Sequence, residues 1–342
     1  MTAPVPAVRA LFQQRVDGDD ALLRLARLRF AQAGMGAEAY ADTPEQLERI
    51  LGFVAPHPCL PTVHLNRGVN LLQAAGRAAV EAFAARFAGR VWGLVVHDKA
   101  EMAARTDELV AGLRALDARL RQGRDRPYLL LEYAAGLPPE WFAGLAERLA
   151  DTARVSFCVD VGHVGIRQAR DRFARAHPGM ELAALRPDDP RLPELAGDVE
   201  RAVAAALPAV LELTGWLGRA GKPVHFHLHD GHPLIPGLSD HFSFLTQVPV
   251  PFSHDGRQSL RPLYGPAGLA EIVAAAVRAG GAERASLTLE IHQAEGRLPL
   301  GDAAGLFRHW RDPTNAERTN YWLAVLAENH LLVRAALERL DR

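Results

Sequence analysis

Six segments of the chain alternate apolar residues with small or polar ones and end on or beside a histidine, aspartate or glutamate. The segments are TVHL, LVVH, LLLE, FCVD, HFHLH and LTLE, and they place His64, His97, Glu132, Asp160, His227 and Glu290. Alternate residues of a strand face opposite ways, so one face of each strand would be apolar and the other would carry the polar side chain. This pattern predicts strands covered by helices on their apolar face.

Segments with helical spacing separate these strands. We predict helices over 20–32, 43–54, 71–87, 100–122 and 138–150, a strand at GMGAEAYA, and a weaker first strand near Val8–Phe12. Thr43 and Pro44 form an N-cap and first-turn pair of the kind that begins a helix. Eight strands that alternate with helices predict an α/β fold, a parallel (β/α)8 TIM barrel.

Two intervals between successive strand-end residues are longer than one strand, one helix and the return to the next strand require. Between Asp160 and His227 we predict a proline-bearing insertion after strand 6, at 173–200, and then a long helix over 197–219. After strand 7 we predict a long loop at 236–262 that could cover the site. We expect the last barrel helix at 302–311, a single catalytic barrel over 1–312, and a helical extension over 313–342. The extension would pack on the barrel or on a second subunit of a homo-oligomer.

Composition limits the partners of this chain. The 342 residues are 49% hydrophobic and 23% charged with a net charge of −1, which predicts a globular domain without a general attraction to nucleic acid or anionic membranes. No window is apolar enough to predict a membrane span. Cys59 and Cys158 are far apart in sequence, so we expect free thiols and a cytoplasmic protein.

Carboxylates at the ends of apolar strands are costly to bury unless a cation compensates them. Glu132 and Glu290 are therefore predicted metal ligands, with a structural ion pair as the alternative. If a metal is bound, at least one ligand should come from the run His225, His227, His229, Asp230 and His232. The three strand histidines share one face, and those that do not bind would orient ligands or line the barrel. Mixed carboxylate and imidazole ligands suit Mn²⁺, Zn²⁺, Co²⁺ or Fe²⁺. No nucleotide-binding motif is present, so no nucleotide cofactor is expected.

Other polar residues near the strand ends allow more than one interpretation. Asp160 and His163 form the motif DVGH, which places both side chains at a strand tip. For Asp240 and His241 in the long loop we favour solvated side chains over metal ligands. For Asp98 we favour a surface charge over a substrate contact. Histidines 64 and 97 would bind a second metal, contact substrate or be core residues. The predicted substrate contacts are His64, His97, Lys99, Arg67 and His229.

The order Glu, Asp-x-x-His, His, Glu at the last four strands resembles the xylose isomerase-like TIM-barrel superfamily over about residues 35–295. That superfamily includes sugar isomerases and epimerases, inosose and dehydroshikimate dehydratases, and endonuclease IV. The resemblance implies a divalent metal held by Glu132, Asp160, His227 and Glu290. The segment HLHD resembles the end of the corresponding strand in the family, which favours His227 over its neighbours.

Two functions are compatible with the resemblance. The first is an isomerase, epimerase or lyase that transfers protons on a sugar- or polyol-like substrate, with Glu132, Glu290 and His163 as catalytic residues. The alternative is an endonuclease IV-like di- or trinuclear hydrolase of a phosphoester, with His64, His97 and His163 as second-metal ligands. The segments HDK and EYAAGLP and the pair Asp240–His241 depart from that branch. We therefore expect a small carbohydrate-like substrate rather than nucleic acid.

Overall fold

Eight parallel strands close into a barrel in a computed structural model that describes residues 6–11, 19–53, 57–185, 189–234, 241–245, 253–254, 257–258, 262–281, 283–291 and 315–340. The strands are β1 (Ala7–Leu11), β2 (Gly36–Ala41), β3 (Thr62–Leu65), β4 (Gly93–His97), β5 (Tyr128–Glu132), β6 (Val155–Asp160), β7 (Val224–Leu228) and β8 (Ala285–Leu289). Each strand pairs with its sequence neighbours, and β8 pairs with β1 to close the ring. The predicted (β/α)8 TIM barrel is confirmed.

Helices follow the strands and cover the outside of the barrel. They are α1 (Asp20–Gln32), α2 (Pro44–Leu51), α3 (Ala74–Arg86), α4 (Thr106–Arg121), α5 (Pro139–Arg148), α6 (Val161–Ala176), α7 (Leu192–Ala204), α8 (Ala206–Gly218), α9 (Gly265–Gly280) and α10 (Asn315–Leu340). Thr43 caps α2 as predicted, because its hydroxyl accepts from the amide of Gln46 at 3.2 Å. The predicted helix over 100–122 begins as a 3₁₀ turn, Ala100–Arg105, before α4.

The alternation within each strand separates two environments. On β5, Leu129 and Leu131 belong to the main core between the barrel and the helices, whereas Leu130 packs with Val95 and Cys158 in a small separate cluster. Leu130 shares its strand face with Glu132, so this small cluster lies inside the barrel below the strand ends. The site above it is therefore built on the same face of the same strands.

The described part of the insertion after β6 is mostly helical. α6 begins directly after Asp160, and the interval 173–200 contains its end, a 3₁₀ turn at Leu182–Ala184 and most of α7. The prediction of one helix over 197–219 was wrong, because α7 and α8 are separate and meet at Ala205. Pro208 explains the break: it has no amide hydrogen for the carbonyl of Ala204, but it fits the first turn of a new helix.

The long loop after β7 returns to the barrel near its own start. Asp230 and Phe242 exchange two backbone hydrogen bonds of 2.8 and 2.9 Å. The Phe244 amide donates to the side chain of Asn329 on α10 at 3.0 Å. An antiparallel pair joins Ser253–His254 to Arg257–Gln258. The remainder of the loop and the predicted helix at 302–311 lie outside the described residues.

α10 packs against α9 and α1, the helix that precedes β8 and the helix that follows β1. The division into a barrel over 1–312 and an extension over 313–342 remains a prediction. Among the described helices, none combines the length and apolar character needed to cross a membrane.

Candidate metal centre

The carboxyl ends of four neighbouring strands bring together the four residues predicted as metal ligands. Glu132 and Asp160 end β5 and β6, His227 lies on β7, and Glu290 directly follows β8. One potential ligand atom from each lies within 4.8 Å of the others, and all four residues are buried. The geometry is that of a candidate metal site, and the role of these residues as ligands remains a prediction.

An imidazole lies between the carboxylates of this cluster. His227 Nδ1 is 2.8 Å from Glu290 Oε2 and 3.2 Å from Glu132 Oε1. Burial acts to lower the pKa of His227, but the surrounding acidic groups raise it well above its ordinary value. Burial acts to raise the pKa of Glu132, but His97, His64 and His227 hold it well below the usual range. The carboxylates thus have an environment that favours a positive charge among them.

Two further histidines contact the outer oxygen of Glu132. His64 Nε2 is 2.8 Å and His97 Nε2 is 3.1 Å from Glu132 Oε2, and the two nitrogens are 3.1 Å apart. His64, Glu132 and His227 form a second set of potential ligands. The pKa of His97 is lowered by burial, whereas Glu132 raises the pKa of His64 against the effect of burial.

Asp160 anchors another set of donors on the opposite side of the cluster. Its Oδ1 is 2.8 Å from His229 Nε2, and its Oδ2 is 3.5 Å from His163 Nδ1. Asp160 also caps α6, because Oδ1 accepts from the His163 amide at 2.8 Å. Asp160, His163, His229 and His241 are all buried, with one potential ligand atom from each within 4.8 Å of the others.

Within the described part of the chain, several polar atoms around Asp160 lack the hydrogen-bond partners that buried polar atoms normally have. Among the described residues, Asp160 Oδ2 and both ring nitrogens of His163 are buried without a hydrogen-bond partner. Buried polar atoms are nearly always paired, so such atoms need a ligand, an ion or water. The residues present therefore fit a divalent cation.

His241 corrects an expectation from sequence. We expected it to be solvated, but it is 2% exposed and its ring centroid is 3.9 Å from that of His229. Its Nε2 is 3.7 Å from Glu290 Oε1 and 3.9 Å from Asp160 Oδ2. The pairing of Asp230 with Phe242 places it there, and no spacing in the sequence indicates that pairing. Asp240 lies outside the described residues.

Sequence reasoning missed two residues on β2, Glu38 and Tyr40. Glu38 is fully buried and its Oε1 is 2.8 Å from His227 Nε2. The Tyr40 hydroxyl donates to Glu290 Oε1 at 3.2 Å, and its ring stacks on His64 with centroids 4.4 Å apart. Burial, Glu290 and Glu132 raise the pKa of Tyr40 well above its ordinary value. The signal was present, because Glu38 and Tyr40 share one face of a predicted strand.

The other polar residues on and just after β7 are His225, Asp230 and His232, and their hydrogen bonds are within the fold. Burial lowers the pKa of His225 to about 4, and His225 lies below the strand ends beside Glu38. The ring of His232 accepts from the Leu234 amide at 3.3 Å. Asp230 accepts from the amides of Tyr264 and Gly265 at the start of α9.

The predicted basic contacts lie at the His97 side of the centre. Lys99 Nζ donates to the carbonyl oxygen of Arg67. Arg67 is an exposed residue. The charge of Arg67 acts to lower the pKa values of His97 and Tyr40. The expectation that Asp98 is a surface charge was wrong. It is 2% exposed, and its Oδ1 accepts from the amides of Ala134 and Ala135.

Comparisons with known proteins give no family. No model of a protein family matches the chain, and no curated protein matches it. One similar solved structure is the carboxyl transferase domain of Rhizobium etli pyruvate carboxylase, with 13% identity, coverage of 98% of this chain and 48% of that chain, and a TM-score of 0.41. A variant of that domain with pyruvate has 14% identity, coverage of 98% and 49%, and a TM-score of 0.39. This chain spans about half the length of these structures, and the similarity is too low to bear on function.

Proposed function

We propose that this protein is a divalent-metal-dependent enzyme of the xylose isomerase-like superfamily that transfers protons on a sugar- or polyol-like substrate. Isomerisation, epimerisation and elimination are the reactions of this class. The observation that carries the proposal is the convergence of Glu132, Asp160, His227 and Glu290, with one ligand atom of each within 4.8 Å of the others. Three carboxylates and one imidazole suit Mn²⁺, Zn²⁺, Co²⁺ or Fe²⁺.

A divalent cation held by these four residues would supply Lewis acidity to the oxygens of a bound substrate. Glu132 and Glu290 both contact His227 Nδ1, at 3.2 and 2.8 Å, and would act as the base and the acid that remove and return a proton. The Tyr40 hydroxyl orients Glu290 through its hydrogen bond to Oε1. The buried ring nitrogens of His163 are available to a substrate hydroxyl.

Burial of the site favours a small substrate. The four central residues, Glu132, Asp160, His227 and Glu290, are at most 2% exposed. His241 of the long loop lies against Glu290 and Asp160. A polymer could not reach these atoms without displacement of that loop. Arg67 and Lys99, on the His97 side, would contact an anionic or hydroxylated part of a small molecule.

A second candidate function is a di- or trinuclear hydrolase of a phosphoester. One observation favours it: the sets of potential metal ligands overlap. Glu132 and His227 also belong to the set with His64. Asp160 also belongs to a set whose other members are His163, His229 and His241. Shared carboxylates are the ligands that bridge neighbouring metals in two-metal sites. The number of bound metals therefore separates the two candidates.

Elemental analysis of the purified protein is the first test. One equivalent of metal per chain supports the proton-transfer enzyme, whereas two or three equivalents support the hydrolase. Glu132→Gln should lose metal in either case, and the matched surface change Glu140→Gln on α5 should retain it. Absence of bound metal after loading with Zn²⁺ and Mn²⁺ would refute both candidates.

The reaction is tested directly with the metal-loaded protein. A panel of ketoses, aldoses, polyols and sugar phosphates is incubated in D₂O, and NMR follows deuterium at carbon. Exchange that requires Glu132 and Glu290 supports proton transfer. Release of phosphate from the phosphorylated members without carbon exchange would replace the first candidate by the second.

A further inference from the structure

A buried carboxylate lies one layer below the candidate metal centre and contacts His227 on the side away from that centre. Glu38 lies on β2 and is fully buried. Its two oxygens contact His225 Nε2 at 2.9 Å, His227 Nε2 at 2.8 Å, and the hydroxyl groups of Thr62 and Thr288. His227 faces Oε1, and the other three groups face Oε2. An ionised carboxylate accepts hydrogen bonds and has no proton of its own to donate. All four neighbours therefore donate to Glu38, and the donor atom of His227 is Nε2.

The hydrogen bonds beyond His225 lead to the same assignment. Arg9 donates to the hydroxyl oxygen of Ser286, and that oxygen is 2.9 Å from His225 Nδ1. A guanidinium only donates, so the hydroxyl hydrogen of Ser286 is left for His225 Nδ1. The proton of His225 then resides on Nε2, where Glu38 accepts it.

His227 consequently presents its other nitrogen to the centre. Nδ1 faces Glu290 Oε2 at 2.8 Å and Glu132 Oε1 at 3.2 Å. The neighbouring histidines have the opposite orientation. In His64 and His229, Nδ1 lies beside a backbone carbonyl, at 3.2 and 2.9 Å, and Nε2 faces a carboxylate.

We propose that Glu38 is a positioning residue that keeps the proton of His227 on Nε2 and commits this side chain to bind a metal through Nδ1. The inference rests on the metal centre of the proposed function and deepens it, because it names the ligand atom and the group that selects it. A carboxylate behind a ligand imidazole fixes its tautomer and ring orientation and strengthens metal binding.

The ligand atom is tested by NMR of wild-type protein labelled with ¹⁵N-histidine and loaded with Zn²⁺. The His227 signals are assigned by their loss in His227→Gln. We expect a zinc-bound Nδ1 and a protonated Nε2 for His227. A zinc-bound Nε2 would overturn the proposal, and this measurement needs no variant of Glu38.

The role of Glu38 is tested with Glu38→Gln, whose amide cannot accept from four donors. Zinc affinity, measured in competition with a chelator, should fall roughly 10–100-fold, and the His227 signals should change. Thr288→Val removes one donor to the same carboxylate but leaves His227 in place, so its affinity should remain close to wild type. A folded Glu38→Gln protein with unchanged affinity and unchanged His227 signals would overturn the proposal.

The outcome is separable from that of the proposed function. If wild-type protein binds no zinc, the proposed metal-dependent function fails. The Nε2 proton of His227 can still be observed in the metal-free protein, and its absence there refutes the role of Glu38 independently.

Discussion

Gly162, the second residue of α6, lies directly against the ring of His229. A Cβ atom at this position would overlap Cε1 of His229 and lie 2.6 Å from its Nε2. The ring cannot simply move aside, because Nε2 pairs with Asp160 at 2.8 Å and Nδ1 with the carbonyl oxygen of Asp230 at 2.9 Å. The glycine in DVGH therefore provides the space in which His229 reaches Asp160.

We expect Gly162→Ala to destabilise the protein and to disturb the Asp160 side of the centre. Displacement of the ring removes a hydrogen bond to a carboxylate, about 1.5–3 kcal/mol, and one to a carbonyl, about 0.5–1.5 kcal/mol. Replacement of a helical glycine by alanine returns about 1 kcal/mol. The net loss in the free energy of unfolding is about 1–3.5 kcal/mol.

Urea unfolding followed by circular dichroism measures this loss, and zinc stoichiometry measures the effect on the centre. Gly144→Ala in α5 is the matched control, because a Cβ there meets no atom within 4 Å and should stabilise the helix. In a His229→Ala background, Gly162→Ala should become neutral or stabilising. Equal stability of the two glycine variants, or a penalty that persists without the His229 ring, would refute the steric explanation.

Three further predictions concern pH, a buried carboxyl group and metal binding. The pKa of His232 is lowered to about 3 by burial and by Arg170, so the folded state disfavours its protonation. The free energy of unfolding should therefore fall as the pH falls from about 6.5 towards 3, by about 2 kcal/mol at pH 5. In urea unfolding, His232→Asn should reduce this pH dependence. The same pH dependence in the variant and in wild type would contradict the prediction. Asp98→Ala leaves the Ala134 and Ala135 amides unpaired and should lower the free energy of unfolding by about 2–4 kcal/mol. Asp98→Asn keeps the acceptor and should cost less than about 1 kcal/mol. Equal losses of the two variants in thermal unfolding would refute the role of Asp98 as the acceptor for these amides. Zn²⁺ at about 100 times its Kd should raise the free energy of unfolding of wild type by about 2.7 kcal/mol, and EDTA should reverse the gain; an equal gain in Asp160→Asn would show that zinc binds elsewhere.

The barrel and the strand-end carboxylates Glu132, Asp160 and Glu290 could be predicted because both depend on local alternation. The choice of His227 over the other histidines of its strand came from the resemblance to a known family. In VSFCVD and YLLLE, one strand face is apolar throughout. The carboxylate is on the other face and is the last residue of its segment, so it lies at the carboxyl end of the barrel. The structure brings these strand ends together as expected.

Other parts of the site could not be predicted for definite physical reasons. His225, His227 and His229 share one face of the same strand, and sequence spacing does not say at which height each ring finds its partner. Strand register decides this, because it places Asp160 beside His227 on the neighbouring strand. His241 depends on a backbone pairing between Asp230 and Phe242, which leaves no periodic signal.

Period-two alternation is a property of the backbone of each strand, so the amino-acid sequence was enough to predict the barrel and the strand faces that carry polar side chains. The pairing of those side chains required the folded barrel: Glu38 lies behind His227, Glu132 is shared with His64 and His97, and Asp160 is shared with His163, His229 and His241. Such pairings join residues far apart in the chain, and closure of the barrel fixes the distances between them.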